Sequence, residues 1–133
     1  MSKYRKRAEE LRNDPTTHYN CAQSVLIPFA EEAGISFDHA CRIAANFGSG
    51  MKCGGTCGAI TGGLMALGLF GVTDGSTIAA YWRAFKTSHD NLTNCSDLLR
   101  VNAEKGCPKK EHCDGMVYEA VSIVENILKS REA

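Results

Sequence analysis

The sequence predicts an all-α domain, a bundle of about five to six helices around a central glycine-rich helix. Three observations carry this prediction. Apolar residues recur at helical spacing in several separate stretches, and no stretch alternates convincingly with period two. Those stretches are punctuated as helices are, with polar caps before them and glycine after them. Finally, the run from Cys57 to Val72 is apolar, rich in glycine and about sixteen residues long, which suits a buried core helix and is short for a membrane span.

The elements follow in order. Lys3 to Asn13 form a short charged helix ended by Asp14-Pro15, because proline restricts the residue before it. Asn20 is an N-cap with Gln23 three residues on, a variant of the capping box. Behind it Ala22, Val25, Leu26, Phe29, Ala30 and Ala33 share one face, Pro28 should bend the helix, and Gly34 ends it. Ser36 or Asp38 opens the next helix, with Ala40, Ile43, Ala44 and Phe47 on one face and Cys41 packing beside them. Gly48-Ser49-Gly50 leads into Met51-Lys52-Cys53-Gly54-Gly55-Thr56-Cys57, a glycine-rich turn from which the central helix starts. Ser76 or Thr77 caps a helix through Ile78, Tyr81, Trp82 and Phe85, and Asn94 caps a short one beginning at Cys95. Residues 102–113 read as a loop, and a last helix from about Asp114 places Val117, Val121, Val124 and Leu128 on one face.

The 133 residues suffice for one domain, 1–133, with the charged helix in 1–15 and a cysteine-containing core over 18–130. Hydrophobic content of 44% and charged content of 23% are those of a globular protein. Fifteen basic residues balance fifteen acidic ones, leaving no net field for nucleic acid. The basic N-terminal run is a solvated helix face. It is followed by Glu9, Glu10, Asn13 and Asp14, not by an apolar signal region, which points to the cytoplasm.

Seven cysteines in a reducing compartment, an odd number, do not make a structural disulfide framework. Metal binding and reversible thiol chemistry remain. Cys57 falls near the first turn of its helix, where unpaired N–H groups and the positive dipole end favour a thiolate. Cys21 has the same advantage. Cys53 lies four residues before Cys57; with Gly54-Gly55 between them, Cys53 can stand outside the helix and form a labile disulfide with Cys57. Cys57, Cys21 and Cys53 are therefore the candidate catalytic residues. Gly55 and Gly58 flank the helix start, where backbone N–H groups would cradle an anion if the chain were a binding module. The four histidines fit no ligand spacing; only His112, beside Cys113, suggests a ligand or base.

Asn20-Cys21-Ala22-Gln23, Phe47-Gly48-Ser49-Gly50-Met51 and Cys57-Gly58-Ala59-Ile60-Thr61-Gly62 resemble the redox-active family named for its cysteine pattern, C_GCAxxG_C_C. The likeness continues through Leu64 to Gly68, Cys95 with Leu98, and Cys113 with Val117 and Ala120. The resemblance implies a small helical redox protein without an established substrate. It implies that the family's four cysteines are Cys21, Cys57, Cys95 and Cys113, with Cys107 the alternative to the last and Cys41 and Cys53 as additions. In the leading reading Cys21 and Cys57 face one another and Cys95 and Cys113 complete the site. Four thiolates would hold an iron–sulfur cluster or another soft metal; bare, they would serve as dithiol/disulfide couples. The alternatives are the anion-binding module and a protein stapled by zinc. The redox partner, a protein or a small molecule, is unidentified, and association into a homodimer is left open.

Overall fold

The computed structural model describes residues 2–132. The chain is all-helical, with seven α-helices among these residues: α1 (Lys3–Arg12), α2 (Cys21–Glu32), α3 (Phe37–Ala44), α4 (Gly58–Leu69), α5 (Gly75–Ser88), α6 (Cys95–Glu104) and α7 (Lys109–Glu132). That is at least one more helix than the sequence suggested. No helix is long and apolar enough to cross a membrane among the described residues.

Local chemistry explains most of the boundaries. Asn20 accepts a hydrogen bond from the Gln23 N–H and the Gln23 side chain accepts from the Asn20 N–H, so the capping box forms at the start of α2. The helix runs on through Pro28 and stops at Gly34, whose φ of +86° is cheap only for glycine. Ser36 caps α3. Asp74, rather than Ser76 or Thr77, caps α5: its carboxylate accepts from the Thr77 N–H and from both neighbouring hydroxyls.

The largest correction lies near the C-terminus. Residues 102–113 are not one loop, because α6 reaches Glu104 and α7 begins at Lys109. Gly106 (φ +73°) ends one helix and Pro108 leads into the next, the usual placement of these two residues. Cys113 consequently sits inside α7, one turn before Val117.

Helix α2 is buried along almost its whole length and packs against α1, α3, α4 and α7. The helix expected at the centre, α4, packs mainly on α2 and α7 and shares the core with α2 instead of organising it alone. Its small residues have a steric cause. A Cβ at Gly62 would stand 2.7 Å from the Ala22 carbonyl oxygen, and one at Gly58 would stand 2.8 Å from the Phe47 oxygen and 3.2 Å from the Ala22 nitrogen. A Cβ at Gly63 would collide with the Tyr81 hydroxyl, which donates to the Ile60 carbonyl at 2.8 Å. Val117, Val121 and Val124 of α7 close the core from the other side, and Ile43 of α3 faces solvent instead of joining it.

Candidate functional site

Four helix starts meet at one end of the bundle. The Gly58 and Gly62 contacts press the first turn of α4 against that of α2, so Cys21, the first residue of α2, and Cys57, the N-cap of α4, come close. The loops before α4 and α6 are joined by an antiparallel bridge between Thr56 and Asn94. Within it the Cys57 N–H donates to the Thr93 carbonyl at 2.8 Å and the Cys95 N–H donates to the Gly55 carbonyl at 2.6 Å. Cys95 therefore starts α6 beside Cys57. Helix α7 lies across α2 and supplies Cys113.

A cavity of about 330 Å³ opens between these ends, and Cys21, Cys57, Cys95 and Cys113 all line it. Gly58 lines it too. Gly55 does not; its role is to bond Cys95 and Gly50 through its backbone. Cys53 does not line the cavity either. It is exposed on a turn in which Ser49, Gly50, Met51 and Lys52 all have positive φ, and its thiol donates to the Gly50 carbonyl at 3.4 Å. Cys107 is exposed in the α6–α7 connection and Cys41 is on α3, both away from the cavity.

The thiols differ in acidity, and not as helix position alone suggests. Burial raises Cys57 to about 11, outweighing the N–H groups of Ala59 and Ile60 that would stabilise its thiolate. The expectation of an acidic Cys57 is thus reversed: loss of solvation exceeds the benefit of the helix end. Cys21 and Cys113 adjoin at the cavity wall and titrate as a pair. Cys113 is lowered to about 7 by its interaction with Cys21 and by the charges of Arg12 and Lys109, against the opposing effects of burial and Asp114. Cys21 is raised by the same interaction and by burial. Of the two, Cys113 is therefore the one that ionises first. Burial and Cys113 also raise Cys95, with Lys109 opposing them.

Two features of the site escape sequence reasoning. Arg12, read from the sequence as part of a solvated face, has a side chain only 5% exposed. Its Nε donates to Asp114 Oδ1 at 2.7 Å and its Nη1 to the Tyr19 carbonyl at 2.9 Å, and it lines the cavity. Burial opposes its charge, but the Asp114 bond and the adjacent cysteines carry its pKa above the ordinary value. No local pattern reveals this, since the partner is 102 residues away. The second feature is the first turn of α7, where Lys109, Lys110 and His112 line the cavity. The Gly106–Pro108 pair was the overlooked signal for that turn. His112 is lowered by burial and then by His89 and Lys105.

The donor set fits a metal poorly in this arrangement. Among the described residues no three His, Cys, Asp or Glu side chains are grouped so that they could hold a metal ion. What the site offers is four thiols lining one cavity, of which Cys21 and Cys113 influence each other's acidity most strongly.

Neither the curated proteins nor the solved structures gave a match to the chain. The family model described as "Putative redox-active protein (C_GCAxxG_C_C)" does match, over residues 19–127. That span runs from the residue before the Asn20 cap to the last turns of α7, and so includes every cysteine that lines the cavity. By this match the chain belongs to the C_GCAxxG_C_C family of putative redox-active proteins.

Proposed function

We propose that this protein works by thiol–disulfide exchange, with Cys113 as the attacking thiolate and Cys21 as the resolving thiol. The observation that carries the reading is that Cys21 and Cys113 line one cavity together, beside Cys57, Cys95 and the cation of Arg12. A thiolate attacks a disulfide sulfur, and a second thiol in contact then displaces the first partner. Forming Cys21–Cys113 releases two electrons and two protons to the acceptor. Cys113, lowered to about 7, is the more acidic of the two, which suits an attacking thiol. Cys57 and Cys95, side by side across the Thr56–Asn94 bridge, supply a second pair of thiols for onward exchange. Cys53 has no part in the first step.

The soft-metal reading, an iron–sulfur cluster or zinc on Cys21, Cys57, Cys95 and Cys113, needs a convergence of donors that this arrangement lacks. The anion-binding module with inert cysteines leaves the gathering of four thiols at one cavity without a role.

The test is to equilibrate the protein with mixtures of reduced and oxidised dithiothreitol, quench in acid and map the disulfides by mass spectrometry. A single Cys21–Cys113 bond should appear with a two-electron slope of about 30 mV per tenfold change, and Cys53→Ser should leave it unchanged. A first disulfide that excludes Cys113 would overturn the proposal. So would stoichiometric iron or zinc in anaerobically purified protein, with thiols that titrate only after chelation.

A further inference from the structure

The chain carries equal numbers of acidic and basic residues, but the cavity wall does not. Arg12, Lys109 and Lys110 line it and no aspartate or glutamate does. Asp114, just behind the wall, bonds both Arg12 and Lys110 at 2.7 Å and offsets one of the three charges. The Cys113 thiolate offsets a second, which leaves one positive charge facing the space. The starts of α2, α4, α6 and α7 all border that space and add their positive ends to it. Beside the cations, Leu98, Leu99 and Met116 give the wall an apolar part. A volume of about 330 Å³ lies at the lower end of the range for small-ligand sites, about 300–1,000 Å³. A polypeptide loop would not enter it whole.

We infer that the oxidant met by Cys113 is a small organic disulfide bearing an anionic group, a carboxylate or sulfonate, held by Lys109 and Arg12 with its carbon chain against Leu98 and Met116. The inference rests on the redox reading above and adds the size and charge of the substrate. The chemistry balances. The Cys113 thiolate attacks one sulfur of R–S–S–R, forming a Cys113–S–S–R bond and expelling R–S⁻. Cys21 then attacks the Cys113 sulfur, passes its proton to the departing thiolate and expels the second R–S⁻. The other R–S⁻ takes a proton from solvent, equal to the one Cys113 gave up. The substrate gains two electrons and leaves as two R–SH, and the protein holds the Cys21–Cys113 disulfide. Positive charge at the mouth of a low-dielectric cleft raises the local concentration of an anion and its rate of encounter by about tenfold or more.

The test measures the rate of oxidation of the reduced protein by three probes at low ionic strength: anionic 3,3′-dithiodipropionate, neutral bis(2-hydroxyethyl) disulfide and cationic cystamine. Each rate is divided by that of a free small thiol with the same probe at the same pH, which removes the probes' intrinsic differences. The expected order is anionic, neutral, cationic, with about a tenfold or greater span that narrows as salt is added. Lys109→Glu, chosen because Lys109 is exposed and Arg12 is structural, should lower the anionic-to-neutral ratio within a protein shown to be folded by circular dichroism. Equal normalised rates, or a preference for cystamine, would overturn the inference and leave the redox reading intact. If no probe oxidises the native protein faster than it oxidises the free thiol, the redox reading fails and takes the inference with it.

Discussion

At the scale of single residues, the site turns on how solvation competes with helix position. Cys57 sits where backbone N–H groups point at its sulfur, yet burial dominates and its thiol is raised to about 11. Cys113, deeper in its own helix, ends up the acidic one because it interacts with Cys21 and with the charges of two cations, Arg12 and Lys109. Iodoacetamide labelling followed by peptide mapping should therefore find Cys113 the fastest cavity thiol, half-maximal near pH 7, with Cys57 unreactive. Cys21→Ala removes that neighbour and should shift the Cys113 profile upward; a Cys57 that labels first would reverse the assignment. The raised Cys57 also has a consequence for stability. Folding holds its proton, so its contribution is complete below the unfolded-state value of about 9 and declines as pH rises toward about 11. The unfolding free energy from urea titrations should fall across that window by on the order of 2 kcal/mol, and the fall should be shallower in Cys57→Ala.

At the scale of elements, the crossing of α2 and α4 decides whether the cavity exists at all. Gly58 and Gly62 lie one turn apart on the face that meets Ala22, and neither has room for a Cβ against backbone atoms. Alanine is the better helix former by roughly 1 kcal/mol, so an exposed glycine replaced by alanine would stabilise. Here the crowding wins, because a carbonyl oxygen 2.7 Å away cannot rotate aside as a side chain would. Gly62→Ala should lower stability by about 1–3 kcal/mol in chemical denaturation, whereas Gly68→Ala, with nothing near it, should not. The same crossing brings Cys21 against Gly58, so Gly62→Ala should also slow formation of the Cys21–Cys113 disulfide. The glycine-rich composition of α4 was legible in the sequence. Which backbone approaches it, and at which glycine, was not, because helical spacing fixes a face but not its partner.

At the scale of the whole molecule, Arg12 and Asp114 tie the first helix to the last beside Cys21 and Cys113. The Arg12 side chain is 5% exposed and that of Asp114 17% exposed, so water screens the pair little. Removing one partner of a buried ion pair leaves an uncompensated charge, at a cost of about 3 kcal/mol or more. Asp114→Asn should show that loss in denaturation, and it should leave the charge of Arg12 no longer offset beside Cys113, lowering the labelling pH of that thiol. An unchanged profile would mean that Lys109 and Cys21 alone set it. Burial works against Asp114 as an anion, but the bonds from Lys110 and Arg12 hold its pKa below the ordinary carboxylate value. Its contribution to stability is therefore full above the unfolded-state pKa and is lost as pH falls through the lowered one.

The sequence by itself determined the helices whose signals are local: the Asn20–Gln23 box, the stop at Gly34, the stripe of Val117, Val121 and Val124. It also determined which cysteines to follow, because Cys21, Cys57 and Cys95 each stand beside a cap or a glycine turn that marks a helix start. Only the tertiary structure decided what those thiols are. Acidity depends on desolvation and on neighbours brought from 12 to 114 along the chain, and neither quantity is carried by spacing. Cys57 and Cys21 have the same helix-start signature, yet Cys21 is influenced most by Cys113 and Cys57 by burial at its own helix end. The lowered pKa of Cys113 arises from a through-space pairing of α2 with α7, and such pairings are made by packing, after the local pattern has been spent on forming each helix.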